Sequence, residues 1–178
     1  MQVLDKIISN FINNKSLYIG EKVTMSEHMI QTAMLAEKAK CGDDLICSSL
    51  LHDYGHFILE NPDDLAKLNI DGQHENIGYE YLKSFFKKEI LEPIKNHVLA
   101  KRSLANDKKY FDLLSEASKT SLKLQGGALN PEECNKFEAQ EYFKPSILLR
   151  KFDEAAKRTD LKMKSIHDYK KLLTYKLI

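Results

Sequence analysis

The sequence predicts an all-α fold, a compact helical bundle formed by residues 1–178 as a single domain. Three observations lead there. Apolar residues recur at helical spacing nearly everywhere, and strand-like alternation is scarce. Helix-start signals punctuate the chain, Thr24-Met25-Ser26-Glu27 and Asn130-Pro131-Glu132-Glu133 being the clearest. The 178 residues fit one domain and can bury a substantial core, and no repeat, low-complexity tract or linker divides them.

Taken in order, Val3, Leu4, Ile7, Ile8, Phe11 and Ile12 make a first amphipathic stripe, which Tyr18-Ile19-Gly20-Glu21 breaks. Thr24 and Glu27 have the spacing of a capping box, in which hydroxyl and carboxylate satisfy free amides at a helix start. A helix should run from there to about residue 40, with Gly42 near its C-terminal end. A second should cover about 44 to 52 or 53, ended or bent by Gly55. Asn61-Pro62-Asp63-Asp64 should start a short turn or helix, with proline in its first turn. Helices are expected near 73–86, 88–104 and 108–124; Pro93 either sits in a first turn or kinks its helix. Gly126-Gly127 is a break, and the last helices should cover 145–157 and 166–177.

Composition excludes several function classes. Lys and Arg total 27 against 26 Asp and Glu, a formal net charge of +1, so no basic footprint points to nucleic acid. Lys87-Lys88 and Lys108-Lys109 read as solvated helix faces. The three cysteines, Cys41, Cys47 and Cys134, are odd in number and form no C-x-x-C pair, which suits reduced thiols in a cytoplasm. No stretch approaches the roughly 20 apolar residues needed to span a bilayer. The N-terminal residues show no export signal. A cytoplasmic protein with neither nucleic acid nor membrane as partner is expected; oligomeric state is not encoded legibly.

The chemistry-bearing residues are few. Six histidines occur: His28, His52, His56, His74, His97 and His167. One begins Leu50-Leu51-His52-Asp53-Tyr54-Gly55-His56, and an apolar helix ending in His-Asp is a poor place for solvated charge. Burying an aspartate costs several kcal/mol unless something cationic compensates, and a bound metal does so. Adjacent helical residues point about 100° apart, so His52 and Asp53 can serve one site from neighbouring directions, and Asp53 has a second oxygen for a second metal. His56 shares the face of His52 if the helix continues; otherwise it can face a ligand. A lone histidine near a helix end is more often a cap or a core residue. The ensemble changes the weighing: His28 on an apolar helix, His74 at a helix start, His97 in Ile94-Lys95-Asn96-His97, and Asp153 in Arg150-Lys151-Phe152-Asp153. Several helices each bringing one or two ligand-type residues is how metal sites in bundle cores are built. His167 matches no ligand role and reads as a surface or structural residue.

The order His28, His52-Asp53, Asp153 resembles the signature of the HD superfamily, and the added His74 and His97 resemble its two-metal subset. Tyr18-Ile19-Gly20-Glu21, Gln73-His74-Glu75, His97-Val98-Leu99-Ala100-Lys101-Arg102, Leu114-Ser115-Glu116-Ala117-Ser118, Leu124-Gln125-Gly126-Gly127 and Thr159-Asp160-Leu161-Lys162 carry the likeness further. Running in unbroken order from about 18 to 169, they are similar to the HD-domain mixed-valent diiron oxygenases, in particular those that form glycine from 2-amino-1-hydroxyethylphosphonate.

That resemblance implies two iron ions (Fe2+/Fe3+), one held by His28, His52 and Asp153, the other by His74 and His97, with Asp53 bridging. It implies a substrate pocket of Glu21, His56, Lys101, Ser118, Gln125 and Arg150, suited to a phosphonate anion. Tyr18 and Glu21 would form a mobile catalytic cover, the tyrosine approaching an iron until substrate displaces it and the acid meeting the substrate's amino group. The implied activity is C–P bond cleavage with O2, releasing phosphate and glycine or an N-methylated glycine. For a trimethylammonium head group, Tyr54 and Phe57 could line an aromatic cage, although core packing suits them better. Two rivals remain open: an HD phosphohydrolase acting on a nucleotide or small phosphate ester through a metal-activated water, and a degenerate HD domain that only binds a phosphorylated ligand.

Overall fold

The computed structural model describes residues 3–18, 20–59 and 72–178. Among these residues the chain is helical, without strands, and with isolated bridges pairing Leu17 with Thr24 and Phe86 with Leu177. In order come α1 (Val3–Asn13), α2 (Met25–Lys38), α3 (Asp43–Leu51), a 3-10 turn (Tyr54–Phe57), α4 (His74–Leu82), α5 (Lys88–Leu104), α6 (Lys108–Leu113), α7 (Glu116–Leu124), α8 (Pro131–Glu138), α9 (Phe143–Ala155), a second 3-10 turn (Ile166–Tyr169) and α10 (Lys170–Lys176). The turn expected at residues 61–64 lies outside the described residues. None of the described helices is long and apolar enough to cross a membrane.

Helices α2, α3, α5 and α9 pack on one another and form the frame of the site. Helix α4 lies across α5 and the first 3-10 turn, while α1 and α10 close the apolar end. Ile7, Met29, Leu50, Leu51, Ile94 and Leu173 are fully buried in that core. Fully burying each such side chain contributes roughly 1.5–3 kcal/mol. Ala100, Leu129 and Phe137 make a second, smaller cluster behind α5. His167 is exposed, and the three cysteines are free thiols.

Where boundaries differ from those expected, side-chain chemistry gives the reason. The Thr24–Glu27 capping box forms, but α2 stops at Lys38. Its terminal carbonyls are satisfied by Lys40 N–H to Glu37 O and Cys41 N–H to Ala36 O, with Lys40 left-handed at φ 57°. Gly42 instead caps the start of α3. The 108–124 segment divides because Ser115 turns extended and its hydroxyl accepts the Ser118 amide, starting α7 afresh. Helix α4 ends at Leu82, four residues early, because Phe86 pairs with Leu177. Pro93 lies inside α5 beyond its first turn. Of the first apolar stripe, Ile12 is 43% exposed and does not join the core.

Candidate metal centre and adjoining pocket

Each frame helix delivers ligand-type side chains to one interior point. His28 comes from the middle of α2, His52 and Asp53 from the end of α3, His97 from α5, Asp153 from α9 and His74 from the first position of α4. All are buried except His74, whose side chain keeps 12% exposure. They fall into two groups, His28/His52/Asp153 and Asp53/His74/His97, whose ligand atoms lie within 4.8 Å of one another in each group.

Asp53 joins the groups through different oxygens. Its Oδ2 lies 3.5 Å from His28 Nε2 and 3.3 Å from His52 Nε2. Its Oδ1 lies 3.2 Å from His74 Nε2 and 3.4 Å from His97 Nε2. Asp153 Oδ1 stands 3.3 Å from His28 Nε2 and has no hydrogen-bond partner among the described residues.

The imidazole tautomers follow from the far nitrogens. His28 Nδ1 donates to Ala156 O at 2.9 Å, His52 Nδ1 to Ser49 O at 2.9 Å and His97 Nδ1 to Ile94 O at 2.7 Å. A neutral ring that donates through Nδ1 presents a lone pair at Nε2. Nε2 atoms nevertheless approach to 3.2 Å (His28, His52) and 3.0 Å (His74, His97). Nitrogens and carboxylates converging this closely need positive charge between them, a shared proton or a metal ion. The same demand appears in the titrations. Burial opposes charge on His28, but Asp153 and Asp53 outweigh it and push the ring up to about 9. Burial likewise opposes ionisation of the aspartates. His52 and His28 nevertheless hold Asp53, and Arg150 and His28 hold Asp153, well below the usual carboxylate range. Imidazole and carboxylate donors without thiolate fit two first-row divalent metals.

Gly55 makes the second group possible. A Cβ there would lie 1.9 Å from the His74 carbonyl oxygen and 2.9 Å from the Gly78 nitrogen. Only glycine lets the 3-10 turn touch the first turn of α4, which brings His74 to Asp53. His56 is therefore not on a continuation of α3. It sits on the 3-10 turn and stacks on His74, ring centroids 4.2 Å apart. Burial, then the His74 charge, push His56 down to about 3, and its buried Nδ1 has no partner among the described residues.

A cavity of about 510 Å³ opens on the Asp53/His74/His97 side. Tyr18, Glu21, His56, Lys101, Ser118, Gln125 and Arg150, all expected near substrate, line it. The Tyr18 ring stacks on His28, centroids 3.8 Å apart and planes 8° apart. Burial, then the carboxylates of Asp153 and Asp53, keep its hydroxyl protonated. Lys101 donates to Ser121 Oγ at 2.5 Å and Gln125 Oε1 at 3.0 Å. Burial, then the Arg150 guanidinium, push the Lys101 amine down to about 7. Arg150 bonds to Asp153, Glu154 and the Tyr110 hydroxyl. Tyr54 and Phe57 do not line the cavity: Tyr54 is fully buried with its hydroxyl accepting from Asn10, and Phe57 packs edge-on against Phe11. They form core, not a cage.

Sequence reasoning missed Tyr110, Ser115, Glu154 and Lys157. Ser115 Oγ donates to Glu21 Oε1 at 2.7 Å, and Lys157 Nζ reaches the same oxygen at 3.2 Å. Glu154 and Lys157 lie one and four residues beyond Asp153, a spacing that could have drawn attention, but as isolated charges they resemble a solvated helix end.

The HD domain family model matches residues 25–136. The chain is 45% identical over 149 residues to the [1-hydroxy-2-(trimethylamino)ethyl]phosphonate dioxygenase (glycine-betaine-forming) of Leisingera caerulea, covering 81% of this chain and 74% of that protein. It is 39% identical over 154 residues to the hydroxymethylphosphonate dioxygenase of Gimesia maris, covering 85% and 77%. The chain belongs to the HD-domain family, in its diiron oxygenase branch. It is an enzyme, and its class is oxygenase.

Proposed function

We propose that this enzyme is a dinuclear iron oxygenase that uses O2 to cleave the C–P bond of a small 1-hydroxyphosphonate. The observation that carries this reading is Asp53, which faces two histidine groups through separate oxygens at the edge of a cation-lined cavity. Its relatives act on trimethylaminoethyl- and hydroxymethyl-phosphonates, as their names state. His28, His52 and Asp153 would hold one iron, His74 and His97 the other, and Asp53 both. The buried Asp153 Oδ1, without a hydrogen-bond partner among the described residues, fits such a role. When bound, the metal pair supplies the redox chemistry that activates O2.

The protein's own groups bind and orient. The Arg150 guanidinium, the Lys101 amine and the Ser118 hydroxyl provide charge and donors for the phosphonate oxygens. Neutral His56 exchanges one hydrogen bond with the substrate, and Gln125 fixes Lys101. Tyr18, flat against His28, covers the centre and limits water. Glu21 closes the far end. The reaction balances without an added reductant: R–CH(OH)–PO3(2−) and O2 give R–COOH and HPO4(2−), C1 being oxidised and O2 reduced. For a 2-amino substrate the acid is glycine, and for an N-methylated one the corresponding methylated glycine.

The deciding experiment is anaerobic reconstitution with ferrous iron, then a panel of 1-hydroxyphosphonates with and without air, measuring phosphate. Phosphate release that needs both iron and air is expected. Nucleotide hydrolysis without air, with no response to hydroxyphosphonates, would favour the phosphohydrolase instead. His28, His52, Asp53 and Asp153 alone suit that rival; the paired His74 and His97 speak against it.

A further inference from the structure

An internal ammonium backs the cavity wall at Glu21. Lys157 follows the end of α9 and its side chain is 13% exposed. Its Nζ lies 3.2 Å from Glu21 Oε1, 2.7 Å from Glu154 Oε1, 3.0 Å from Ser118 Oγ and 3.3 Å from Ser115 Oγ. Glu21 lines the cavity, whereas Lys157 stands behind it, outside the lining. The Glu21 position is fixed by Gly20, left-handed at φ 75°, where a Cβ would strike the Ala117 side chain at 2.6 Å. Glu21 therefore docks closely against α7, with one carboxylate oxygen already taking the Ser115 hydroxyl and the Lys157 ammonium.

A cationic head group placed at Glu21 meets this arrangement as a competitor. It would bring a second ammonium to a carboxylate that is already paired, close to Arg150, which also shares Glu154. Like charges around one partly buried carboxylate repel, and displacing Lys157 would strip it of an ion pair in poor solvent. Tyr54 and Phe57, the aromatic pair considered for a quaternary ammonium, pack in the core, and the Tyr18 ring that does line the cavity is stacked on His28. A substrate whose head is a hydrogen or a short neutral group leaves the Lys157–Glu21 pair intact and needs only the phosphonate and hydroxyl contacts.

We propose that Lys157 is a positioning residue that occupies Glu21 as a built-in cation, so that the enzyme selects 1-hydroxyphosphonates with an uncharged head group. This deepens, and rests on, the oxygenase reading above. The test compares kcat/KM for air-dependent phosphate release from hydroxymethylphosphonate and from 2-amino-1-hydroxyethylphosphonate. It uses iron-loaded wild type, Lys157→Met and Lys157→Arg. Wild type should favour the uncharged substrate by about tenfold or more, a discrimination of about 1.4 kcal/mol. Lys157→Met should move that ratio toward the amino substrate by about tenfold, chiefly through KM, and Lys157→Arg should restore it. A wild-type preference for the amino substrate overturns the proposal without any variant. So does a ratio that Lys157→Met leaves unchanged while lowering both activities together, as a merely structural residue would. Failure of both substrates to release phosphate in air overturns the oxygenase reading and the proposal with it; turnover with the wrong preference overturns the proposal alone.

Discussion

Replacing Gly55 with alanine should empty half of the metal centre while leaving the bundle folded. The added Cβ would sit 1.9 Å from the His74 carbonyl oxygen and 2.8 Å from its carbonyl carbon. Reaching even a tight 3.0 Å contact requires the start of α4 to retreat by about 1 Å. Both neighbours are backbone, so no rotamer change relieves the clash. His74 Nε2 is now 3.2 Å from Asp53 Oδ1, and metal ligands tolerate displacements of only about 0.2 Å. Overpacking of this kind costs roughly 1–3 kcal/mol, which for a chain of this length lowers the melting temperature by about 2–12 °C. A misplacement near 1 Å at reacting groups lowers turnover about 100-fold. Metal per chain, measured by plasma emission after reconstitution, should fall toward half the wild-type value. Gly42→Ala is the control, because nothing lies within 4 Å of its Cβ and its φ is an ordinary −65°. A Gly55→Ala protein with full metal content and wild-type turnover would refute the reasoning, since His74 would then not depend on that close approach.

Removing metal should expose the repulsion it screens: a chelated sample should melt about 8–16 °C lower than one holding metal at 1,000 times its dissociation constant, with ferrous iron restoring the difference in scanning calorimetry. Phosphonate binding should weaken as pH rises through about 7, because Lys101 is pushed down to about 7 and loses its charge there; KM should climb by up to about tenfold per pH unit, and Lys101→Met should flatten the profile. Ser115→Ala should cost roughly 0.5–2 kcal/mol in a denaturant melt by uncapping α7, and should raise KM by freeing Glu21 from the hydroxyl 2.7 Å away.

The candidate ligand residues stood out in the sequence because they contradict their surroundings. Histidine and aspartate on apolar helix faces, at His28, His52, Asp53, His97 and Asp153, have few explanations that burial allows. The capping boxes at Thr24 and Asn130 were legible because they are local, each formed within four residues. What escaped the sequence is set by contacts between distant segments. His56 was expected to share a helix face with His52 if α3 continued, but the close approach of Gly55 to α4 decides that turn. Lys157 and Glu154 carry the composition of a solvated helix end; α7 and the turn at Gly20 bury them, and neither adjoins them in sequence. Ser115 sits inside an unbroken apolar periodicity, so only its extended neighbour Leu114 reveals that two helices meet there.

The exit from α3 ties the fold to its chemistry. His52 still has helical dihedrals, φ −59° and ψ −37°, but Asp53 leaves them for φ −101° and ψ 16°. That is the sparsely occupied bridge region, where active-site residues collect. At this exit the Asp53 carboxylate sets one oxygen against the α2 and α3 imidazoles and the other against those of α4 and α5. The same departure starts the 3-10 turn, which places Gly55 under His74. The exit from α3 thus sets both the carboxylate that faces the two histidine groups and, through Gly55, the seat of the second group.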